Sequence, residues 1–322
     1  MTIGKVADSK KTVFVLGVNG FVGQHLAREL KNSGCRVVGI GNTENLASGL
    51  TEVVDSYIQC DLADSSVTSK LDLSKANSII NLAGLANVGA SFSNEEEYLR
   101  INRLVHTNIC DALEKSKQFN TRVIAVSTGA VYDSSETMPL KETSKVISKG
   151  SPYALSKLQM EKALKSYQKK GLDIITVRPF NHTGPGQGPG FLVPDLLFQL
   201  RSLEPQAREI LVGNLSSKRD YTDVRDIVCA YRLLALAPTG DLSSRLYNIC
   251  SGVSTSGQSI LSMLLEELGL TDKITIKIDL ERIRPNDPAD IYGSRNLLSQ
   301  DTGWSPRITL AQTLHDFVTS LS

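Results

Sequence analysis

The sequence predicts an α/β fold, a doubly wound parallel sheet with a smaller, partly interleaved C-terminal lobe. Three observations carry that prediction. As far as Arg178, short apolar runs alternate with longer amphipathic stretches, the rhythm of a parallel sheet with crossover helices. Three glycines, Gly17, Gly20 and Gly23, stand where the first apolar run passes into the first amphipathic stretch. Beyond Arg178 the rhythm breaks into irregular elements.

Taken in order, residues 1–11 are short and polar and read as a frayed tail. Residues 12–16 read as a buried strand, 21–33 as a helix ended by Gly34, and 35–40 as the next strand. Residues 77–83 and 122–126 are two further strands, separated by a helical stretch over 95–117. A second long helix covers 152–170 and a strand 173–178. Residues 181–190 read Asn-His-Thr-Gly-Pro-Gly-Gln-Gly-Pro-Gly, which argues against regular structure. Then come a helix over 191–200, a strand over 209–212, a helix over 224–237 and a strand over 246–249. Residues 258–268 read as helix, 273–278 as strand, and the last helix starts after Thr309. This divides the chain into a sheet domain over 12–180 with about 222–254, and a lobe over about 181–221 and 255–322.

Composition excludes several classes. The 322 residues carry 35 Lys+Arg against 34 Asp+Glu, a net charge of +1, which argues against partners such as nucleic acid or an anionic membrane. With 41% apolar and 21% charged residues the chain is not a disordered one. No apolar run approaches the roughly 20 residues of a membrane helix. Residues 13–16 are too few for a signal-peptide core. Five scattered cysteines without a C-x-x-C fit reduced thiols in the cytoplasm, and no metal site is expected.

The chemistry begins at Gly17-Val18-Asn19-Gly20-Phe21-Val22-Gly23. The first glycine permits a tight turn. The second lets a pyrophosphate approach backbone N–H groups at a helix N-terminus, and the third lets helix and strand pack closely. Its place between a predicted strand and a predicted helix makes this glycine pattern read as a Rossmann dinucleotide site. Asp61-Leu62 offers an acidic side chain to an adenine amine, and Asn81-Leu82-Ala83-Gly84 ends a strand at the carboxyl edge, where ligands bind in such sheets. At the end of the second strand NAD calls for a carboxylate and NADP for an arginine. Gly39-Ile40-Gly41-Asn42-Thr43 supplies neither, so Asn42 faces the ribose and the cofactor is NADPH or NADH, with a lean to NADPH.

Of nine tyrosines, Tyr153 is the one with a lysine four residues on, Lys157, just past Ser151-Pro152, an N-cap followed by proline at the first helical position. The i, i+4 spacing puts both on one helix face, where the ammonium is expected to lower the phenol pKa. Ser127-Thr128 ends a strand at the same sheet edge and offers a hydroxyl to the substrate oxygen. Arg178 reads as support for the fold, and Asp223 and Asp226 as caps or partners near the helix at Val224.

Together these motifs resemble the extended short-chain dehydrogenase/reductase superfamily. Arg178-Pro179-Phe180-Asn181-His182-Thr183-Gly184-Pro185-Gly186-Gln187 and Arg219-Asp220-Tyr221-Thr222-Asp223 resemble its nucleotide-sugar branch. Arg284-Pro285-Asn286-Asp287, Gly293-Ser294 and Thr302-Gly303-Trp304-Ser305-Pro306 are most similar to the GDP-4-keto-6-deoxymannose reductases and their dehydratase relatives. The resemblance implies Thr128, Tyr153 and Lys157 as catalytic residues, with Ser127 beside them. It implies Asn181, Arg219, Arg284 and Asp287 around a nucleotide-diphosphate sugar, GDP-linked by preference. Arginine suits that task because its charge is permanent and its recognition of phosphate bidentate.

Dehydratases of this branch carry a carboxylate next to the Ser/Thr. Here Thr128 is followed by Gly129-Ala130-Val131, so the reading is a 4-ketoreductase of a 6-deoxy-4-ketohexose. A C4 epimerase with tightly held NAD and a dinucleotide-binding regulator without turnover stay open; retention of both Tyr153 and Lys157 speaks against the regulator. The helices over 95–117 and 152–170 resemble a pair that builds a four-helix homodimer interface; Leu99, Leu104 and Leu113 face either that interface or the chain's own core.

Overall fold

The computed structural model describes residues 10–204, 209–280 and 288–321. Its first half runs β1 (Thr12–Leu16), α1 (Phe21–Asn32), β2 (Arg36–Gly41), β3 (Ser56–Gln59), α2 (Ser65–Thr68), β4 (Ser78–Asn81), α3 (Val88–Ser91), α4 (Glu95–Lys115) and β5 (Arg122–Val126). Then come α5 (Pro152–Lys169), β6 (Ile174–Pro179), β7 (Asn181–Thr183), α6 (Leu192–Arg201), β8 (Glu209–Val212), β9 (Lys218–Asp223) and α7 (Val224–Leu236). The last part holds β10 (Leu246–Ile249), β11 (Ser254–Ser256), α8 (Gly257–Glu267), β12 (Thr275–Ile278), β13 (Asp290–Ile291), α9 (Asn296–Thr302) and α10 (Leu310–Ser320).

Among the described residues, seven strands form the central sheet, in the order β10-β6-β5-β4-β1-β2-β3, and every pairing in it is parallel. Both faces are covered, which is why its inner strands are mostly apolar runs rather than alternating ones. Val13 and Val15 pack on the side of α1 and α7, with Leu26, Leu30, Ile227 and Leu234. Phe14 and Leu16 pack on the side of α4 and α5, with Ile109, Leu113, Met160 and Leu164. Of the leucines left between a subunit interface and the chain's own core, Leu113 is fully buried in that core, whereas Leu99 and Leu104 are half-buried.

Strand order reverses between β1 and β4. That point opens a crevice beyond the carboxyl ends of the strands, where ligands of doubly wound sheets bind.

A second core joins α6, β8, α8 and α10 through Leu197, Leu200, Val212, Ile260, Leu264 and Phe317. The expected lobe boundary needs one correction. Leu298 and Trp304 belong to the core of the large sheet, and Trp304 Nε1 donates to the Asp226 carbonyl at 3.0 Å. The segment around α9 therefore returns to the sheet domain.

The expectation that 181–190 lacks regular structure also fails at its start. Asn181–Thr183 forms β7, paired in parallel with Tyr221–Asp223 of β9. The glycines and prolines that follow end the strand without preventing it. No described helix is long and apolar enough to cross a membrane, and no described cluster of His, Cys, Asp or Glu is arranged to hold a metal ion.

Candidate active site

The glycine loop is built as its spacing requires. Gly17 has φ +79°, a left-handed value that disfavours other residues, and its N–H donates to Ile40 O at 2.8 Å. Gly20 is the N-cap of α1 and brings no side chain into the space ahead of the helix. A Cβ on Gly23 would lie 2.3 Å from Gly17 O and 2.7 Å from Val18 O, so α1 approaches the loop more closely than any side chain allows. Phe21 and Val22 form the first turn of α1, both half-buried.

A Cβ on Gly17 would meet Ala83 N at 3.1 Å and Leu82 C at 3.2 Å. The loop after β1 and the end of β4 are therefore adjacent across the reversal point. This Cβ-free cradle at a helix N-terminus fits a dinucleotide pyrophosphate.

The β2 side of the crevice is organised by Asn19. Its Nδ2 donates to Thr43 Oγ1 at 2.5 Å and Asn45 O at 3.0 Å, and its Oδ1 accepts from Ala47 N at 2.8 Å. Tyr57 closes the group by donating to Thr43 O at 2.6 Å. Asn19 thus shapes the wall after β2 rather than presenting a free side chain. Asn42 is exposed at the end of β2. Asp61 is exposed beyond β3 and holds its own turn by accepting from Ala63 N at 2.9 Å, while Leu62 is buried.

At the other end of the crevice, α5 starts as predicted. Ser151 Oγ accepts from Ala154 N at 3.2 Å, with Pro152 in the first turn. That fixes Tyr153 and Lys157. Lys157 is buried and donates to Val126 O at 2.9 Å; a Cβ on Gly84 would lie 3.7 Å from its Nζ. Thr128 is buried and accepts from Ala130 N at 3.2 Å, and its hydroxyl lies near enough to the Tyr153 phenol to pull that phenol's pKa down. Thr128, Tyr153, Lys157 and Gly84 thus come together.

The electrostatics correct one expectation. Burial raises the Tyr153 phenol above its ordinary value, and Thr128 is the group that pulls it down; the ammonium is not among the influences. Lys157 is itself lowered by burial, to about 8. A phenol held protonated at neutral pH is in the state that a proton donor needs.

Ser127 also departs from expectation. Its hydroxyl is buried and donates to Glu161 at 2.5 Å, so it points away from any substrate oxygen. Arg178 forms a buried pair with the same Glu161, at 2.9 and 2.6 Å, in the supporting role predicted for it. Asp223 caps α7 by accepting from Arg225 N at 2.7 Å, and Asp226 accepts from the N–H groups of Arg307 and Ile308, each at 2.9 Å.

Of the expected sugar-nucleotide residues, Asn181 is exposed on β7. Arg219, on β9, donates to Pro288 O at 2.8 Å. Arg284 and Asp287 lie outside the described residues.

Sequence reasoning missed Asn102. From α4 it donates to Ser156 Oγ at 2.8 Å and Leu85 O at 3.0 Å and accepts from Leu85 N at 2.7 Å, pinning the segment after β4 against α5. A fully buried asparagine within an amphipathic helix was the available signal.

The description "NAD dependent epimerase/dehydratase family" matches residues 13–250. The chain belongs to this family. It is an enzyme family of the extended short-chain dehydrogenase/reductase type, whose members are NAD(P)-dependent. Within the family, the GDP-6-deoxy-D-mannose reductase of Pseudomonas aeruginosa is 30% identical over 308 residues, 94% of each chain. The UDP-glucose 4-epimerase of Yersinia enterocolitica is 28% identical, over 95% of this chain and 96% of its own. Among solved structures, RMD from Pseudomonas aeruginosa complexed with NADPH superposes with a TM-score of 0.81 at 27% identity, covering 97% of this chain and 98% of its own. Chain, relatives and neighbour thus share nearly their whole length, the second lobe included.

Proposed function

We propose that this chain is an NAD(P)H-dependent 4-ketoreductase of a nucleotide-linked 6-deoxy-4-ketohexose, GDP-4-keto-6-deoxymannose by preference. The carrying observation is the segment after Thr128. Gly129–Val131 is a tight turn, with Gly129 and Val131 buried, so no acid follows the hydroxyl. The first carboxylate, Asp133, is engaged in its own turn, accepting from Ser135 N at 2.9 Å and Ser135 Oγ at 2.8 Å. Reduction needs only the tyrosine step, whereas dehydration needs a further acid/base here. The 30% identity to the GDP-6-deoxy-D-mannose reductase supports the substrate class.

When bound, the reduced nicotinamide supplies the hydride. Tyr153 gives its proton to the C4 oxygen, and Thr128 orients that oxygen through its hydroxyl. Lys157 holds the nicotinamide ribose. Asn181, Arg219 and Arg284 bind the nucleotide diphosphate, and Asp287 accepts from the base or its ribose. Gly17, Gly20, Gly23 and Gly84 leave room for the dinucleotide, with Asn42 at its ribose and Asp61 at its adenine. NADPH is the favoured form because no carboxylate ends β2. The reading places two copies together through α4 and α5, with Leu99 and Leu104 at the seam, in the cytoplasm.

The test is consumption of NADPH and NADH with GDP-4-keto-6-deoxymannose, with Tyr153→Phe as control. Cofactor loss that vanishes in the variant, with a 6-deoxyhexose product, supports the reductase. No loss with either cofactor refutes it. The second reading, a C4 epimerase, is favoured by the 28% identity to a UDP-glucose 4-epimerase, and its signature is NAD retained through purification.

A further inference from the structure

Behind Tyr153 and Lys157 lies a closed set of groups that the reaction leaves unused. Glu161 follows Lys157 by one helical turn, so the two share a face of α5, and both are 6% exposed. One Glu161 oxygen accepts from Ser127 Oγ at 2.5 Å and Arg178 Nε at 2.9 Å; the other accepts from Arg178 Nη2 at 2.6 Å. The Arg178 guanidinium lies 4.6 Å from the centre of the Tyr132 ring, and Tyr132 donates to Asn248 Oδ1 at 2.7 Å. One carboxylate therefore ties together the end of β5, the middle of α5 and β6. Ser127 directly precedes Thr128, and Lys157 bonds the carbonyl of Val126 on the other side of Ser127.

We propose that Glu161 is a positioning residue for the catalytic pair: through Ser127 it fixes the strand end that carries Thr128, and it presents the counter-charge to Lys157. This rests on the reading of Tyr153 and Lys157 as the reacting pair. The surroundings of Lys157 support it. On its own helix the neighbours one turn away are Glu161 and Tyr153, a phenol that burial keeps protonated. From α4 it meets His106, which is buried and held neutral, with a value pushed down to about 3. From β5 it meets the Val126 carbonyl, and Arg178 on β6 has its charge engaged by Glu161. Burial pulls Lys157 down, and among the described groups Glu161 is the anion that acts in the opposite sense. Without that charge, more of Lys157 is neutral near pH 8, and it holds a ribose less well.

The experiment follows NADPH and NADH binding to the full chain by nicotinamide fluorescence, from about pH 6 to about pH 9.5, a range that spans the lysine. The variants are Glu161→Gln, Glu161→Asp, Ser127→Ala, and Glu161→Leu with Arg178→Met. The double change removes both buried charges at once and so spares the fold. Arg122→Met is the control, because Arg122 pairs with Asp173 at 2.9 Å at the opposite end of the same strands.

Wild-type affinity is expected to fall above a midpoint set by Lys157. Glu161→Gln and the double variant move that midpoint about one unit lower. Glu161→Asp and Ser127→Ala, which keep the charge, keep the midpoint, and Arg122→Met lowers the melting temperature alone. A flat wild-type profile, an unmoved midpoint in the charge-removing variants, or an equal shift in Arg122→Met overturns the proposal. If the wild type binds dinucleotide in this pH-dependent way but turns over no GDP-linked ketone, the substrate reading fails, and the binding profile still decides the role of Glu161.

Discussion

Replacing Gly23 by alanine separates the two jobs of the glycine loop. The added Cβ would lie 2.3 Å from Gly17 O, 2.7 Å from Val18 O and 2.8 Å from Val18 C, all backbone atoms. Favourable contacts to carbon lie near 3.5 Å, so α1 must retreat by about 1 Å from a packed loop. Overpacking of this kind costs about 3 kcal/mol at the upper end of its usual range. Alanine in a helix returns about 1 kcal/mol relative to glycine. The net is about 2 kcal/mol, a fall in melting temperature of about 4–8 °C.

Gly20→Ala is the contrast. Gly20 has φ −71°, and its Cβ would meet nothing nearer than Gly17 O at 3.3 Å. It should melt within about 1 °C of wild type, since no packing is lost. Yet it should bind dinucleotide at least about tenfold more weakly, because a methyl enters the space at the N-terminus of α1. Circular-dichroism melts and fluorescence titration of NADPH check both variants. A Gly23→Ala protein that melts with wild type would refute the close-packing argument. A Gly20→Ala protein that binds like wild type would refute the placement of the pyrophosphate.

Tyr153→Phe should lower turnover at least about 100-fold while leaving dinucleotide affinity almost unchanged, as steady-state rates and titrations will show. Arg178→Met alone leaves Glu161 buried without its cation and should cost about 3–5 kcal/mol in urea denaturation. His106, neutral in the fold at about 3, takes up a proton in the unfolded chain below its ordinary value of 6.5. Its contribution is therefore complete above pH 6.5 and falls by about 1.4 kcal/mol per unit below it. Between pH 7.5 and 5.0, wild type should lose about 2 kcal/mol more than His106→Leu; equal losses would remove His106 from the acid response. Leu104→Arg should turn a dimer into a monomer in sedimentation, and a monomeric wild type would refute the α4–α5 seam.

Much of the sheet was legible because local signals and burial agree there. Thr12–Leu16 and Arg122–Val126 were bounded to the residue, since strands covered on both faces are uninterrupted apolar runs. Tyr153 and Lys157 were legible because helix spacing and the Ser151-Pro152 start fix their face. What escaped was set by distant partners. Lys218–Asp223 carries charge at four of its six positions, yet Asp220 is 1% exposed, because Ser251, Gly252 and Gly293 supply it with donors from other loops. Asn181–Thr183 is a strand only because that segment lies beside it. Ser127 looked like a substrate ligand from its neighbour Thr128; its direction is set by Glu161, 34 residues away.

The order in which the sheet is completed bears on how the chain leaves the ribosome. β6 takes its outer neighbour from β10, which is made only after β7, α6, β8, β9 and α7. Until Ile249 emerges, β6 presents an unsatisfied edge on an otherwise finished sheet, and such edges recruit other chains. Asn248 arrives with the same strand, so Tyr132 lacks its acceptor over the same interval. Nascent chains arrested between residues 180 and 245 are accordingly the ones that most need a chaperone, and one lengthened past residue 250 closes its own edge.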